Sequence, residues 1–111
     1  MSAYVIFIRR HTAIPAELEI YSQKAPASLA GRRLKIHALY GRHEVVEGPE
    51  IEGAAILEFP SFEEAKDWYD SPAYREARDH RLRAADYTGI IVEGYVRISA
   101  GERENPSHEG L

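Results

Sequence analysis

The residues best equipped for chemistry crowd into one stretch, "DWYDSPAYREARDHR", residues 67–81. Tyr69 and Tyr74 carry hydroxyls that can orient a carbonyl or carboxylate, and a buried tyrosine needs a partner for that group. Between them, Ser71 followed by Pro72 starts a helix, and a helix start exposes backbone N–H groups suited to an anion. Arg81 lies near Tyr74 and Ala77 by helical spacing, where its planar fork can hold a carboxylate in bidentate fashion. Trp68 belongs to the same aromatic group as a ligand-facing candidate. Outside this stretch, His37 is the candidate general base, since imidazole titrates near neutral pH.

Each of these residues also has a purely structural reading. An aromatic stripe at helical spacing is what a helix packed on a sheet requires, and Trp68 falls in line with Phe62 and Ala65. An arginine can pack its stem while its head reaches water or a carboxylate. His37 can be a polar residue at a dimer edge. His80 is read as outward-facing and inert. His11 and His43 share no metal-ligand spacing with His37, so no metal site is expected. No glycine-rich phosphate loop, nucleophile elbow or HExxH motif occurs.

The elements that must position these groups follow from periodicity. Residues 3–8, "AYVIFI", and 54–59, "AAILEF", are short apolar runs that read as strands buried on both faces. Residues 32–40 alternate, with Leu34, Ile36, Ala38 and Tyr40 on one face and Arg33, Lys35, His37 and Leu39 on the other. Pro15 opens a helix that Pro26 should kink or restart, with Gly31 as its stop. Ser61 caps a second helix, with Glu64 completing a capping box. Ser71–Pro72 restarts it, and the continuation runs to about Asp86. Gly89 then precedes a last strand at 90–98.

The order β-α-β-β-α-β predicts an α+β, ferredoxin-like sandwich: a four-stranded antiparallel sheet with both helices on one face and the first and third strands central. Residues 1–98 form this single domain, and 99–111 are a flexible polar tail. The other sheet face is then left apolar and bare. The simplest cover is the same face of a second copy, so a homodimer through the sheet faces is expected.

Composition sets bounds. The 111 residues are 44% hydrophobic and 29% charged, an ordinary globular balance. There is no cysteine, hence no disulfide framework and no thiolate chemistry. A net charge of −4 argues against a nucleic-acid partner. The longest apolar run near the N-terminus falls far short of the ~20 residues that cross a bilayer. No membrane partner is expected, and a cytoplasmic location is the default.

The run "ILEFPSFEEAKDWYDSPAYREARDHR" followed by "GIIVEG", with the opening "AYVIF", the "KAPASLA" segment and "VVEG", resembles the family catalogued as domain of unknown function 1330. The resemblance covers about residues 3–97. It implies a protomer of the dimeric α/β-barrel superfamily, whose relatives include cofactor-independent monooxygenases, haem-degrading enzymes, lactone isomerases and stress-responsive barrels. Their ligands commonly sit between helices and sheet. The family itself brings no established activity. The chain departs from it after Gly31, where Arg-Arg-Leu-Lys-Ile-His replaces the glycine and aromatic residue that members often carry.

The expected function is therefore binding of a small organic ligand, aromatic or carboxylate, between helices and sheet, with no resident cofactor and with cofactor-independent catalysis as an open question. Tyr69, Tyr74, Arg81, Ser71 and Trp68 would bind it, and His37 would move a proton. The alternatives are a non-catalytic stress-response or interaction module, and a cofactor-independent monooxygenase or isomerase.

Overall fold

The computed structural model describes residues 1–95. Four strands and three helices follow in the order β1 (Ala3–Thr12), α1 (Pro15–Ser28), β2 (Lys35–Leu39), β3 (Gly53–Phe59), α2 (Phe62–Tyr69), α3 (Pro72–Ala84) and β4 (Ala85–Glu93). The sheet is antiparallel throughout, with strand order β2-β3-β1-β4. The first and third strands are central, as the split βαβ pattern requires.

Alternation along the central strands sets the layers. Ala3, Val5 and Phe7 of β1 and Ala55, Leu57 and Phe59 of β3 are buried on the helix side. Trp68 and Tyr74 cap them from α2 and α3, with the Trp68 ring 5.3 Å from Phe59 and 4.0 Å from Tyr74. The intervening residues point to the opposite face, which no element among the described residues covers. Ile56, Ile6 and Ile90 lie side by side across three strands there, as do Glu58, Tyr4 and Val92. Ile90 and Val92 remain 49% and 42% exposed. Among the described residues, the central strands are thus buried on one face and bare on the other.

Both serine caps form. Ser61 Oγ accepts from the Glu64 N–H at 3.0 Å, and Ser71 Oγ accepts from the Tyr74 N–H at 3.2 Å. The capping box at Ser61 is only half made, because the Glu64 carboxylate is drawn to Arg33 instead, at 3.4 Å. Pro26 does not break α1; it sits in the last turn, and the helix continues to Ser28. A proline so close to the end removes one N–H from a ladder that is about to stop.

The second half of the chain departs furthest from its sequence pattern. β4 begins at Ala85, directly after α3 and with no turn. The Ala84 carbonyl is capped from another element: the N–H groups of Ala13 and Ile14 both donate to it, at 2.7 and 2.9 Å. Arg10 then holds Asp86 at 2.8 Å and draws the chain into the sheet. Gly89 lies inside β4 rather than before it. It pairs with Phe7, and a Cβ there would come 3.0 Å from two carbons of the Phe7 ring.

In β2 a bulge between Ile36 and Ala38 breaks the expected alternation. Ile36 pairs with Leu57 and Leu39 with Ala55, both on the helix side, while Ala38 pairs with Ile56 on the bare side. An extra residue in one strand of a pair shifts the faces of everything after it.

Candidate functional site

Between α1 and the sheet lies a cavity of about 260 Å³. Its body is apolar, formed by Leu18, Ala25 and Leu29 of the α1 region over Leu57, Phe7 and Trp68. The volume is just under the ~300 Å³ at which pockets for drug-sized ligands begin, so it suits one ring or a short acyl chain. Helix spacing turns Leu18, Tyr21 and Ala25 to one side of α1, above the sheet.

The cavity's polar groups are three tyrosine hydroxyls, the Arg9 side chain and Ser22. Tyr21 Oη lies 2.9 Å from Tyr74 Oη, and Tyr40 Oη lies 2.8 Å from Tyr87 Oη. Tyr21, Tyr40 and Tyr87 all line the cavity, whereas Tyr74 is sealed behind it at 0% exposure. Tyr40 reaches its place from a left-handed backbone, φ 55°. A tyrosine in that region costs about 1–3 kcal/mol, and such strain collects at functional sites. The Tyr40 ring occupies the space a side chain at position 53 would need, which is why Gly53 follows across the sheet. The Arg9 guanidinium stacks over that ring at 4.7 Å and pairs with Glu52 at 3.0 Å.

Behind the tyrosines sits Arg81, 2% exposed. Its Nε donates to Tyr74 Oη at 3.2 Å, and its Nη2 donates to Tyr69 Oη at 3.4 Å. Its guanidinium lies 4.5 Å from the Phe7 ring centre and 4.8 Å from that of Tyr87. Among the described residues no carboxylate pairs with it; the acidic partners go to Arg9, Arg10, Arg32, Arg33 and Arg83. Burial opposes its charge, but the oxygens of Tyr74, Tyr21 and Tyr69 more than offset this and raise its pKa. Arg81 is therefore a buried cation held by neutral groups.

The burial of Tyr74 favours one direction for the hydroxyls. The Tyr21–Tyr74 bond uses one of two hydroxyl protons, and Tyr74 already accepts from Arg81. If the unused proton were on Tyr74, a sealed donor would lack a partner, at a cost of about 1–3 kcal/mol. With Tyr74 donating to Tyr21, the unused proton is on Tyr21, which lines the cavity. A line of donation then runs from Arg81 through Tyr74 to Tyr21, each bond polarising the next. The Tyr40–Tyr87 pair likewise leaves one proton over. Burial pushes the pKa values of Tyr21, Tyr40 and Tyr74 up, so these hydroxyls are donors and not bases near neutral pH.

The sequence-derived candidates divide accordingly. Trp68 forms part of the cavity wall and donates its Nε1–H to Ser28 Oγ at 3.0 Å. Tyr74 and Arg81 stand behind the wall. Tyr69 and Ser71 do not line the cavity. The Ser71 hydroxyl is fully engaged, donating to the Trp68 carbonyl at 2.8 Å while it caps α3. His37 is not brought to the site at all. It lies on the bare sheet face, its Nε2 2.7 Å from Glu58 Oε1 and its ring 6.1 Å from that of Tyr4. A hydrogen bond from Ser2, and then His37, hold the Glu58 carboxyl below its ordinary range. His80 is not a free outward group: its Nδ1 lies 2.6 Å from Glu17 Oε1 and ties α3 to α1. Among the described residues no three His, Asp or Glu side chains gather as a metal ion would need.

The sequence reading missed Tyr21, Tyr40 and Tyr87 as site residues. Tyr21 and Tyr40 each fall on the apolar side of their element by spacing, which was the available signal. Their pairing with Tyr74 and Tyr87 depends on register and helix placement that spacing does not supply.

Comparison with solved structures agrees on the fold. A protein of unknown function from Rhodopseudomonas palustris is 20% identical, with a TM-score of 0.67 over 86% of this chain and 83% of its own. A dimeric ferredoxin-like protein of unknown function from Bacteroides fragilis is 14% identical, with a TM-score of 0.56 over 84% and 96%. SnoaB, a cofactor-independent oxygenase from Streptomyces nogalater, is 10% identical, with a TM-score of 0.53 over 89% and 96%. No curated protein matches the sequence. No helix among the described residues is long and apolar enough to cross a membrane. The family described as Domain of unknown function (DUF1330) matches residues 2–95, and the chain belongs to that family.

Proposed function

We propose that this protein binds a small organic molecule, aromatic or carboxylate, in the cavity beneath α1, and that it does so as a homodimer joined through the bare sheet face. The observation that carries the reading is the cavity itself: an apolar chamber of about 260 Å³ whose lining includes Tyr21 and the hydrogen-bonded Tyr40–Tyr87 pair, each hydroxyl pair having two protons for one mutual bond. A cavity built only for packing would have no reason to hold donors without acceptors.

Binding is favoured over acid–base catalysis by what lines the chamber. Its lining among the described residues includes no Asp, Glu or His. Burial holds Tyr21 and Tyr40 protonated, and His37 is on the far face of the sheet. In this reading Trp68 contacts the ligand, Tyr74 and Arg81 act through Tyr21, and Tyr69 and Ser71 hold Arg81 and α3 in place. The oxygenase activity in the name of the Streptomyces nogalater relative belongs to that protein and supports a small-ligand chamber in this fold only by analogy.

The dimer rests on the bare face. Ile6, Ile8, Ile56, Ile90 and Val92 would each contribute about 1.5–3 kcal/mol if fully buried. His37 and Glu58 lie at the edge of this face and are assigned to the seam between copies.

The test is thermal unfolding of the purified protein with a panel of aromatic acids, lactones and quinones. A ligand specific for the folded state must raise the melting temperature with its concentration. At least one class is expected to do so, and no shift across the panel would overturn the reading.

A further inference from the structure

Tyr21 ends a line of donors that begins at a cation no carboxylate of the described chain neutralises. That line has a direction and a charge, and both constrain what occupies its open end. A neutral ligand would leave the Arg81 charge uncompensated. A primary amide would also bring N–H groups into a chamber whose tyrosine oxygens already take part in hydrogen bonds. Ser22, at the same wall, spends its own proton on the Glu19 carbonyl at 2.7 Å and adds no donor. A phosphate has the charge but asks for many donors, and the lining is mostly aliphatic and aromatic. An ionised carboxylate on a small apolar body satisfies every term: it accepts from Tyr21, brings one negative charge toward Arg81, and has no donor to strand.

We propose that the cavity selects small organic carboxylates over neutral molecules of the same shape, with the carboxylate accepting from Tyr21 Oη and the apolar body lying against Trp68 and Leu57. This rests on the reading of the cavity as a ligand site and narrows it to one chemical class. The Tyr40–Tyr87 pair offers a further proton to a second oxygen on the ligand. Arg81 and Tyr74 are positioning residues here, since neither lines the chamber.

The test uses three acids of increasing reach, benzoate, phenylacetate and 3-phenylpropionate, each against its primary amide, by titration calorimetry at neutral pH. At least one acid should bind about tenfold or more tightly than its amide, the discrimination expected when a polar site is left mispaired. Tyr21→Phe keeps the ring and should cut the acid's affinity about tenfold while changing the amide's less than about twofold. Tyr74→Phe cuts the line one step further back and should lower the same ratio, which keeps the test decisive if one variant folds poorly. Equal affinity for acids and amides, or a Tyr21→Phe protein that binds the acid unchanged, would overturn the proposal. If lactones or quinones stabilise the protein and no acid binds, the carboxylate assignment falls and the ligand cavity stands. If no probe of either kind binds, both fall.

Discussion

Arg81 donates to Tyr74 at 3.2 Å in a place where both residues are shut off from solvent and no carboxylate stands nearby among the described residues. Removing a charge from water costs several kcal/mol per ion, and here hydroxyl oxygens and two aromatic rings, rather than a counter-ion, offset that cost. The structure thus holds a buried charge without a counter-ion among the described residues. Arg81→Met is expected to change unfolding free energy by less than about 2 kcal/mol, in either direction, because replacing a buried ion by an apolar side chain of similar length trades its hydrogen bonds against its desolvation. Urea unfolding measures this. A loss above about 4 kcal/mol would show that Arg81 is a structural keystone instead.

The bare sheet face makes a separate prediction. Ile6 stands between Ile56 and Ile90 at the middle of that face. Ile6→Glu would bury a carboxylate against its own copy, which should weaken the dimer about 100-fold or more. Light scattering after gel filtration should show a dimer for the natural chain at micromolar concentration and a monomer for the variant. A natural chain that runs as a monomer would remove the dimer from the account.

Gly89 tests the packing around Phe7. That ring is hemmed by Trp68 at 6.5 Å, Tyr74 at 6.4 Å and Tyr87 at 6.2 Å, with the Arg81 guanidinium 4.5 Å from its centre. It has little room to yield to a Cβ arriving at 3.0 Å. Gly89→Ala should cost about 1–3 kcal/mol, the usual penalty of overpacking. A stability equal to that of the natural chain would mean that the ring moves freely.

How much of this was legible in the residues depends on how local each signal is. The two serine caps and the inward turn of Tyr74, Ala77 and Arg81 follow from residues within one element, the central placement of β1 and β3 follows from the order of the elements, and the structure shows each of them. The start of β4 did not follow, because α3 ends against the backbone of Ala13 and Ile14 rather than at a glycine or proline. Gly89 looks like a turn residue and is a packing residue, a distinction that needs Phe7 across the strand. The bulge at His37 inverts the faces beyond it, and nothing in "RRLKIHALY" marks it. The tyrosine pairs join residues 53 and 47 positions apart, so only the assembled sheet and helices reveal them. The end of the last strand as read from sequence, residues 96–98, and the 99–111 tail lie outside the described residues.

Acid should destabilise the fold in a defined window. Glu52 is held below its ordinary pKa by hydrogen bonds from Thr12, and Glu17 by His80 with help from Arg83. A carboxylate with a depressed folded pKa adds stability that is complete above its unfolded value and is lost as pH falls through the folded one. The urea midpoint should therefore hold at higher pH and decline below the unperturbed value of 4.5. Glu52→Gln should make that decline shallower. An unchanged slope in the variant would remove Glu52 from the account.

The central claim is that a small molecule occupies the chamber beneath α1, and Trp68 permits the most direct measurement of it. It is the one tryptophan of the chain and forms part of the chamber wall. Its emission should change saturably on titration with any compound that raises the melting temperature, at concentrations matching that rise. Compounds that stabilise the protein while leaving Trp68 emission unaltered would place the ligand elsewhere and contradict the account.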